Sequence, residues 1–316
     1  MSVCGRLWRS VAAARAASKA EFCSKLPLSR PALRCSAALA VSAKSFATGG
    51  EQEAAGKNYV IIEKNGSIMT IGLNRPEVRN AVNRNTALQL LEAFTTFERD
   101  KALTAAVLYG TGGHFCAGYD LKELAQAAVS VKFDQDVTKD PGPMGPSRLQ
   151  FSKPVIAAMS GYAVAGGLEL SLLADLRIME QSAIMGVFCR RFGVPLIDGG
   201  TVRLPKLIGL SRALDLILTG RSIGAQEAYE FGLVNRVVPD GQALQCAVDL
   251  AEQISAFPQH CLHADRASAY YGIFNASSFT EAMQFEFDNA KGVILKESIS
   301  GANQFISGTG RQGKFI

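Results

Sequence analysis

The stretch Ser160-Gly161-Tyr162-Ala163-Val164-Ala165-Gly166-Gly167-Leu168-Glu169 decides how this chain is read. It follows the apolar run 155–159, which has the length and composition of a buried strand. It opens a segment, 167–174, that reads as a helix. A glycine-bearing turn of this kind leaves the first amides of the helix without intrahelical partners, at the positive end of its dipole. A second such turn lies upstream. His114-Phe115-Cys116-Ala117-Gly118-Tyr119-Asp120-Leu121 follows a short apolar strand at 105–109 and the loop Gly110-Thr111-Gly112-Gly113. It precedes a helix predicted over 121–128. Two such turns on adjacent strands can aim two N–H donors at one oxygen, which stabilises an enolate formed from a carbonyl. Glu169 falls in the first turn of the second helix, where a carboxylate can move a proton beside that carbonyl. Taken singly, Gly-Gly before a helix is commonly a tight turn, and an acid there commonly complements the dipole.

Working outward, 60–63 and 68–73 read as strands around a turn at Asn65-Gly66. Residues 85–99 have helical periodicity, with Leu88, Leu91 and Phe94 on one face. Pro141-Gly142-Pro143 and Gly145-Pro146 predict a mobile loop over 130–148. A further strand is predicted at 176–179, and from Arg203 onward the pattern is helical apart from a strand at 234–238. The βαβ rhythm implies an α/β fold with a largely parallel sheet. Neither turn matches a dinucleotide fingerprint or a phosphate loop, which disfavours a nicotinamide or ATP enzyme.

The chain has 316 residues, 48% hydrophobic and 19% charged, which excludes a disordered protein. Its net charge of +5 is unevenly placed. Residues 1–50 carry 8 Lys and Arg against Glu21 alone, together with 12 Ala and 8 Ser. This is the composition of a mitochondrial transit peptide, with cleavage expected between Arg34 and Gly50 and a matrix location for the mature chain. Residues 51–316 have a net charge of −2, which argues against a nucleic-acid partner. No apolar run approaches the length of a membrane span. Cys116, Cys189, Cys246 and Cys261 show no paired spacing, and the three histidines are His114, His260 and His263, so neither a disulfide framework nor a metal site is expected.

Several segments together resemble the crotonase superfamily, the enoyl-CoA hydratase/isomerase family. They are Asn74-Arg75-Pro76 with Arg79-Asn80-Ala81, then Phe115 to Leu121, then Lys153-Pro154-Val155-Ile156-Ala157-Ala158 running into Gly161-Tyr162-Ala163. Ala165 to Leu170, Asp175-Leu176-Arg177, Gly199-Gly200-Thr201 with Arg203-Leu204, and Leu218-Thr219-Gly220 continue it to the C-terminus. The resemblance implies an α/β, crotonase-like spiral of ββα units with a C-terminal helical region. It divides the chain into a leader at 1–50, a core at 51–250 and a helical trimerisation region at 251–316. It implies an acyl-CoA thioester substrate, a homotrimer or hexamer, and no cofactor beyond the CoA of the substrate.

Carried over by position, the resemblance assigns the two oxyanion donors to the backbone N–H groups of Tyr119 and Gly166. It places Arg79, Ala81, Ala117, Asp120, Leu121 and Lys122 along the CoA site, and Glu169 as the first catalytic glutamate. The second hydratase glutamate is missing. Gly186-Val187-Phe188-Cys189 puts Cys189 in its place, followed by Arg190-Arg191. Those cations can activate a thiol, but a buried structural cysteine is the plainer reading. Asp198, in Pro195-Leu196-Ile197-Asp198-Gly199-Gly200, is the candidate replacement acid, although Asp before Gly-Gly is also ordinary turn chemistry. Four functions remain open at this point: hydration of an enoyl-CoA, enoyl- or dienoyl-CoA isomerisation, thioester hydrolysis, and a non-catalytic binding or scaffold role.

Overall fold

Strands β1 (Val60–Asn65) and β2 (Ile68–Leu73) form a hairpin with Asn65 opposite Ile68. The loop is therefore Gly66-Ser67 rather than Asn65-Gly66, and Gly66 supplies the positive φ, 57°. The computed structural model describes residues 57–126 and 135–310. The leader expected at 1–50, the last two residues of the helix expected at 121–128, and 130–134 of the expected loop lie outside the described residues.

Helix α1 (Arg84–Arg99) is capped by Asn83, whose side chain accepts from the Thr86 N–H. It buries Leu90, Ala93, Phe94 and Phe97, while Leu88 is exposed, so the apolar face differs from the one expected. Leu88 stands two residues from Leu90, on the opposite side of a 3.6-residue helix. The chain continues through β3 (Ala105–Gly110), α2 (Leu121–Gln126), β4 (Val155–Met159), β5 (Tyr162–Val164), α3 (Gly166–Ser171), β6 (Leu176–Glu180) and β7 (Ile184–Gly186). Next come α4 (Gly200–Ile208), α5 (Leu210–Thr219), β8 (Ser222–Gly224), α6 (Ala225–Glu230) and β9 (Arg236–Val238). Helices α7 (Ala243–Ser255), α8 (Gln259–Phe274), α9 (Phe279–Val293) and α10 (Ile299–Ile306) complete it.

The main sheet has the order β1-β2-β3-β4-β6-β9 and is parallel throughout except for the β1 edge. Its central strands alternate between two apolar layers, as strands covered on both faces do. Ala106, Leu108, Val155, Ala157 and Met159 face the cluster that holds Phe94 and Phe97. Ala105, Val107, Ile156 and Ala158 face α7 through Ala243, Ala247, Leu250 and Ala251. Lys153 ties α1 to the start of β4. Its buried ammonium donates to the carbonyls of Phe97, Asp100 (2.9 Å) and Leu103 (3.1 Å), where the ending helix leaves acceptors unsatisfied.

A second sheet, β5-β7-β8, takes its first strand from the stretch that opened the sequence reading. Its strands have three residues each, too few to leave a periodic signal. Among the described residues no helix is long and apolar enough to cross a membrane. Helices α9 and α10 and the turn 294–298 between them leave Phe279, Phe287, Leu295 and Phe305 exposed.

Candidate active site

The two glycine turns are clamped side by side. Residues 115–116 bond to the start of β5 through Phe115 N–H to Ser160 O and Cys116 N–H to Tyr162 O, both 2.8 Å. On the other side Val82 N–H reaches Gly118 O at 2.8 Å, and Asp120 N–H reaches Val82 O at 2.9 Å. Gly118 has φ 97°, and a Cβ built on it would lie 2.8 Å from the Gly166 nitrogen. Only glycine allows this approach. The N–H groups of Tyr119 and Gly166 have no protein acceptor among the described residues. Gly166 N–H is spare because α3 begins there. Ala165 just before it holds a left-handed φ of 55°, fixed by its N–H to Gly186 O at 2.8 Å. The structure thus brings the two predicted donors to neighbouring positions.

Glu169, one turn into α3, is 3% exposed. Its Oε1 accepts from the N–H groups of Asp198 (3.0 Å) and Gly200 (2.8 Å), the latter at the start of α4. Burial pushes its pKa up to about 7, and the Asp198 charge adds to the rise against the two backbone donors. Its Oε2 accepts no hydrogen bond among the described residues and is not sealed from solvent. A carboxyl near neutrality with one open oxygen is a proton-transfer group poised for neutral pH.

Asp198 is 4% exposed. Its Oδ1 accepts from Met144 N–H (3.0 Å) and from the Ser147 hydroxyl. Burial raises its carboxyl above the ordinary range, opposed by those two donors and by the charges of Arg148 and Arg203. The Glu169 and Asp198 residues adjoin directly, backbone of one to carboxylate of the other. Residues 142–147 are not the mobile loop expected from their glycines and prolines. Met144, Pro146 and Ser147 are buried, and the Met144 thioether packs against Gly166. Prolines fix backbone dihedrals as readily as they mark loops, which is why composition misled here. Ser147, Met144 and Arg203 are the site residues that sequence reasoning missed. Arg203 was visible within the Gly199–Leu204 segment, without a role; Ser147 and Met144 had no signal beyond proximity to the prolines.

The predicted CoA-site residues fall on two joined loops. Arg79 O accepts from Ala117 N–H at 3.0 Å. Ala81 O and the Asp120 carboxylate share the Arg75 guanidinium, at 2.6 and 3.0 Å. Asp120 also receives the Lys122 N–H at 3.1 Å, so its carboxylate is committed to holding the loops and the start of α2. Arg79, Leu121 and Lys122 are exposed at the rim, and the Arg79 guanidinium lies 5.3 Å from the Tyr162 ring centre. Asn80 fastens both loops from inside. Its Oδ1 accepts from Arg75 N–H (2.8 Å), and its Nδ2 donates to Thr111 O (2.8 Å) and His114 O (2.6 Å).

Cys189 is buried in a 3₁₀ turn, Phe188–Phe192. Burial first, and the Glu169 carboxylate second, push its thiol pKa up, outweighing Arg190. It is a neutral thiol beside Glu169, not an activated nucleophile. Among the described residues no cluster of His, Cys, Asp and Glu has the arrangement of a metal site.

Two spare amides and a near-neutral carboxyl on neighbouring segments are the groups that enolate chemistry calls for. The chain belongs to the enoyl-CoA hydratase/isomerase family, whose sequence model matches residues 63–304. An enoyl-CoA hydratase of Mycobacterium tuberculosis is 39% identical over 203 residues, 62% of this chain and 74% of that protein. The carnitinyl-CoA dehydratase of Escherichia coli is 37% identical over 198 residues, 61% of this chain and 73% of that protein. The crystal structure of an enoyl-CoA hydratase from Mycobacterium tuberculosis superposes with a TM-score of 0.72 at 32% identity, covering 79% of this chain and 96% of that one. The α/β crotonase fold with its helical C-terminal region is thereby established.

Proposed function

We propose that this chain hydrates an enoyl-CoA thioester. The observation that carries the reading is the convergence of the Tyr119 and Gly166 amides with the open Oε2 of Glu169. Ionised Glu169 takes a proton from water as the water oxygen bonds to Cβ. The double-bond electrons move onto the thioester oxygen, and the enolate is held by the two N–H groups. Collapse of the enolate draws a proton onto Cα from the protonated carboxyl of the Glu169–Asp198 pair, which restores the starting charge. Arg79, Ala81, Ala117, Leu121 and Lys122 receive the CoA portion, with Asp120 bracing the loops. CoA enters as part of the substrate, and no separate cofactor or metal takes part.

Cys189 favours a second reading. With a neutral thiol in place of the second hydratase glutamate, the same two carboxylates can move a proton from Cγ to Cα without water, which is isomerisation. Product analysis with a panel of enoyl-CoA esters tests the choice. Hydration yields the 3-hydroxyacyl-CoA; a shifted double bond with no water gained assigns isomerisation; free CoA assigns hydrolysis. Tight ester binding with no product from any ester supports the scaffold role. Full activity after chelator treatment supports the metal-free scheme, and its loss overturns that part.

The basic leader supports delivery to the mitochondrial matrix, and the exposed apolar residues of α8 to α10 support assembly as a trimer or a dimer of trimers. Import of the full chain into isolated mitochondria, with shortening near residues 34–50, tests the first.

A further inference from the structure

We propose that Ser147, held in place by Arg203, is a positioning residue for Asp198, fixing Oδ1 and leaving Oδ2 to serve the reaction. This rests on the proposed role of Asp198 as a catalytic partner of Glu169. The Ser147 hydroxyl and the Met144 N–H both donate to Oδ1. No donor reaches Oδ2 among the described residues, and it is not sealed from solvent. The carboxylate therefore cannot rotate without giving up two hydrogen bonds in a buried place, each stronger for being made to a charged group.

Arg203 fixes the frame behind them. One arm, Nη1, donates to Asp198 O at 3.1 Å, and the other, Nη2, donates to Ser147 O at 2.8 Å. One planar fork thus sets the separation of the two residues that meet through their side chains. Gly142 closes the other side: a Cβ on it would lie 2.5 Å from Asp198 Oδ1 and closer still to the Ser147 hydroxyl. Nothing larger than a backbone fits there, so no water replaces a lost hydroxyl from that direction. The charged groups acting on Asp198 are Arg203 on α4, Arg148 beside Ser147, and Glu169 on α3. The Ser147 hydroxyl favours the ionised form of Asp198.

A double-mutant cycle on the full enzyme tests this, with kcat and KM for an enoyl-CoA measured across pH. Ser147→Ala is expected to lower kcat about ten- to a hundredfold, with KM changed far less. Its acid limb is expected to move up, because Asp198 loses a donor that favours ionisation and the scheme starts from both carboxylates ionised. Added to Asp198→Asn, Ser147→Ala is expected to cost nothing further. Arg203→Lys, which keeps the charge but not the fork, is expected to show the same upward shift and gives a second route if Ser147→Ala folds poorly. An unmoved pH profile, or an equal loss in the Asp198→Asn background, overturns the proposal. Wild-type kcat in Asp198→Asn instead overturns the role of Asp198 on which it rests.

Discussion

At Glu169 two demands oppose each other. Two backbone donors and the start of α4 favour its charge, but burial outweighs them and holds the pKa at about 7, against an ordinary 4.5. As a base it must be ionised, so kcat/KM is expected to fall as pH drops through about 7 and to level off above it. A pH–rate profile on the free enzyme checks this. The same shift sets stability. Between about pH 4.5 and 7 the native state holds a proton that the unfolded chain releases, so stability falls as pH rises across that window. Glu169→Gln keeps an acceptor for both N–H groups and removes the buried charge. It is expected to be more stable than wild type at pH 8, by up to about 3 kcal/mol, and no more stable at pH 4.5. Urea denaturation at the two values measures the difference. Glu169 was legible in the sequence because its motif places it one turn after Gly166. Its second set of partners was not, since Asp198 and Gly200 lie some thirty positions away and reach it only through the fold.

Among the elements, the loops around 75–81 and 110–120 show how a few side chains build the site. Asn80 satisfies three backbone groups in a fully buried position. Asn80→Ala is expected to leave those groups unpaired, at a cost of about 2–4 kcal/mol, and to raise KM for a CoA ester as the rim loosens. Thermal melts and steady-state kinetics read both effects. Strands β3, β4 and β6 were legible because fully buried parallel strands are short apolar runs. The β5-β7-β8 sheet was not, because its pairing is decided between residues far apart in sequence. The 142–147 segment was misread for a related reason. Its glycines and prolines signal irregular backbone, but only the packing of Met144 and Ser147 against Gly166 and Asp198 shows that this backbone is fixed.

Over the whole molecule, the charge of the chain separates into basic residues 1–50 and a nearly neutral remainder. Large apolar side chains stand exposed near the C-terminus, Phe287 at 64% and Leu295 at 77%, and also at Phe192 and Leu218, both 69%. Light scattering of the chain lacking residues 1–50 is expected to give three or six copies, and Phe287→Asp with Leu295→Asp to give a smaller species; a wild-type monomer contradicts the assembly. The α/β class and the order of its elements were legible because strand and helix periods alternate along the chain. How the tail is covered was not, since amphipathic helices read alike whether they face their own core or another copy.

The most direct test of the account is the turnover of Glu169→Gln on an enoyl-CoA, measured beside its affinity for an unreactive acyl-CoA. The account predicts a loss in kcat of about a thousandfold or more with affinity within a few-fold of wild type, because the two amides and the CoA loops are untouched. A variant that turns over at the wild-type rate contradicts it.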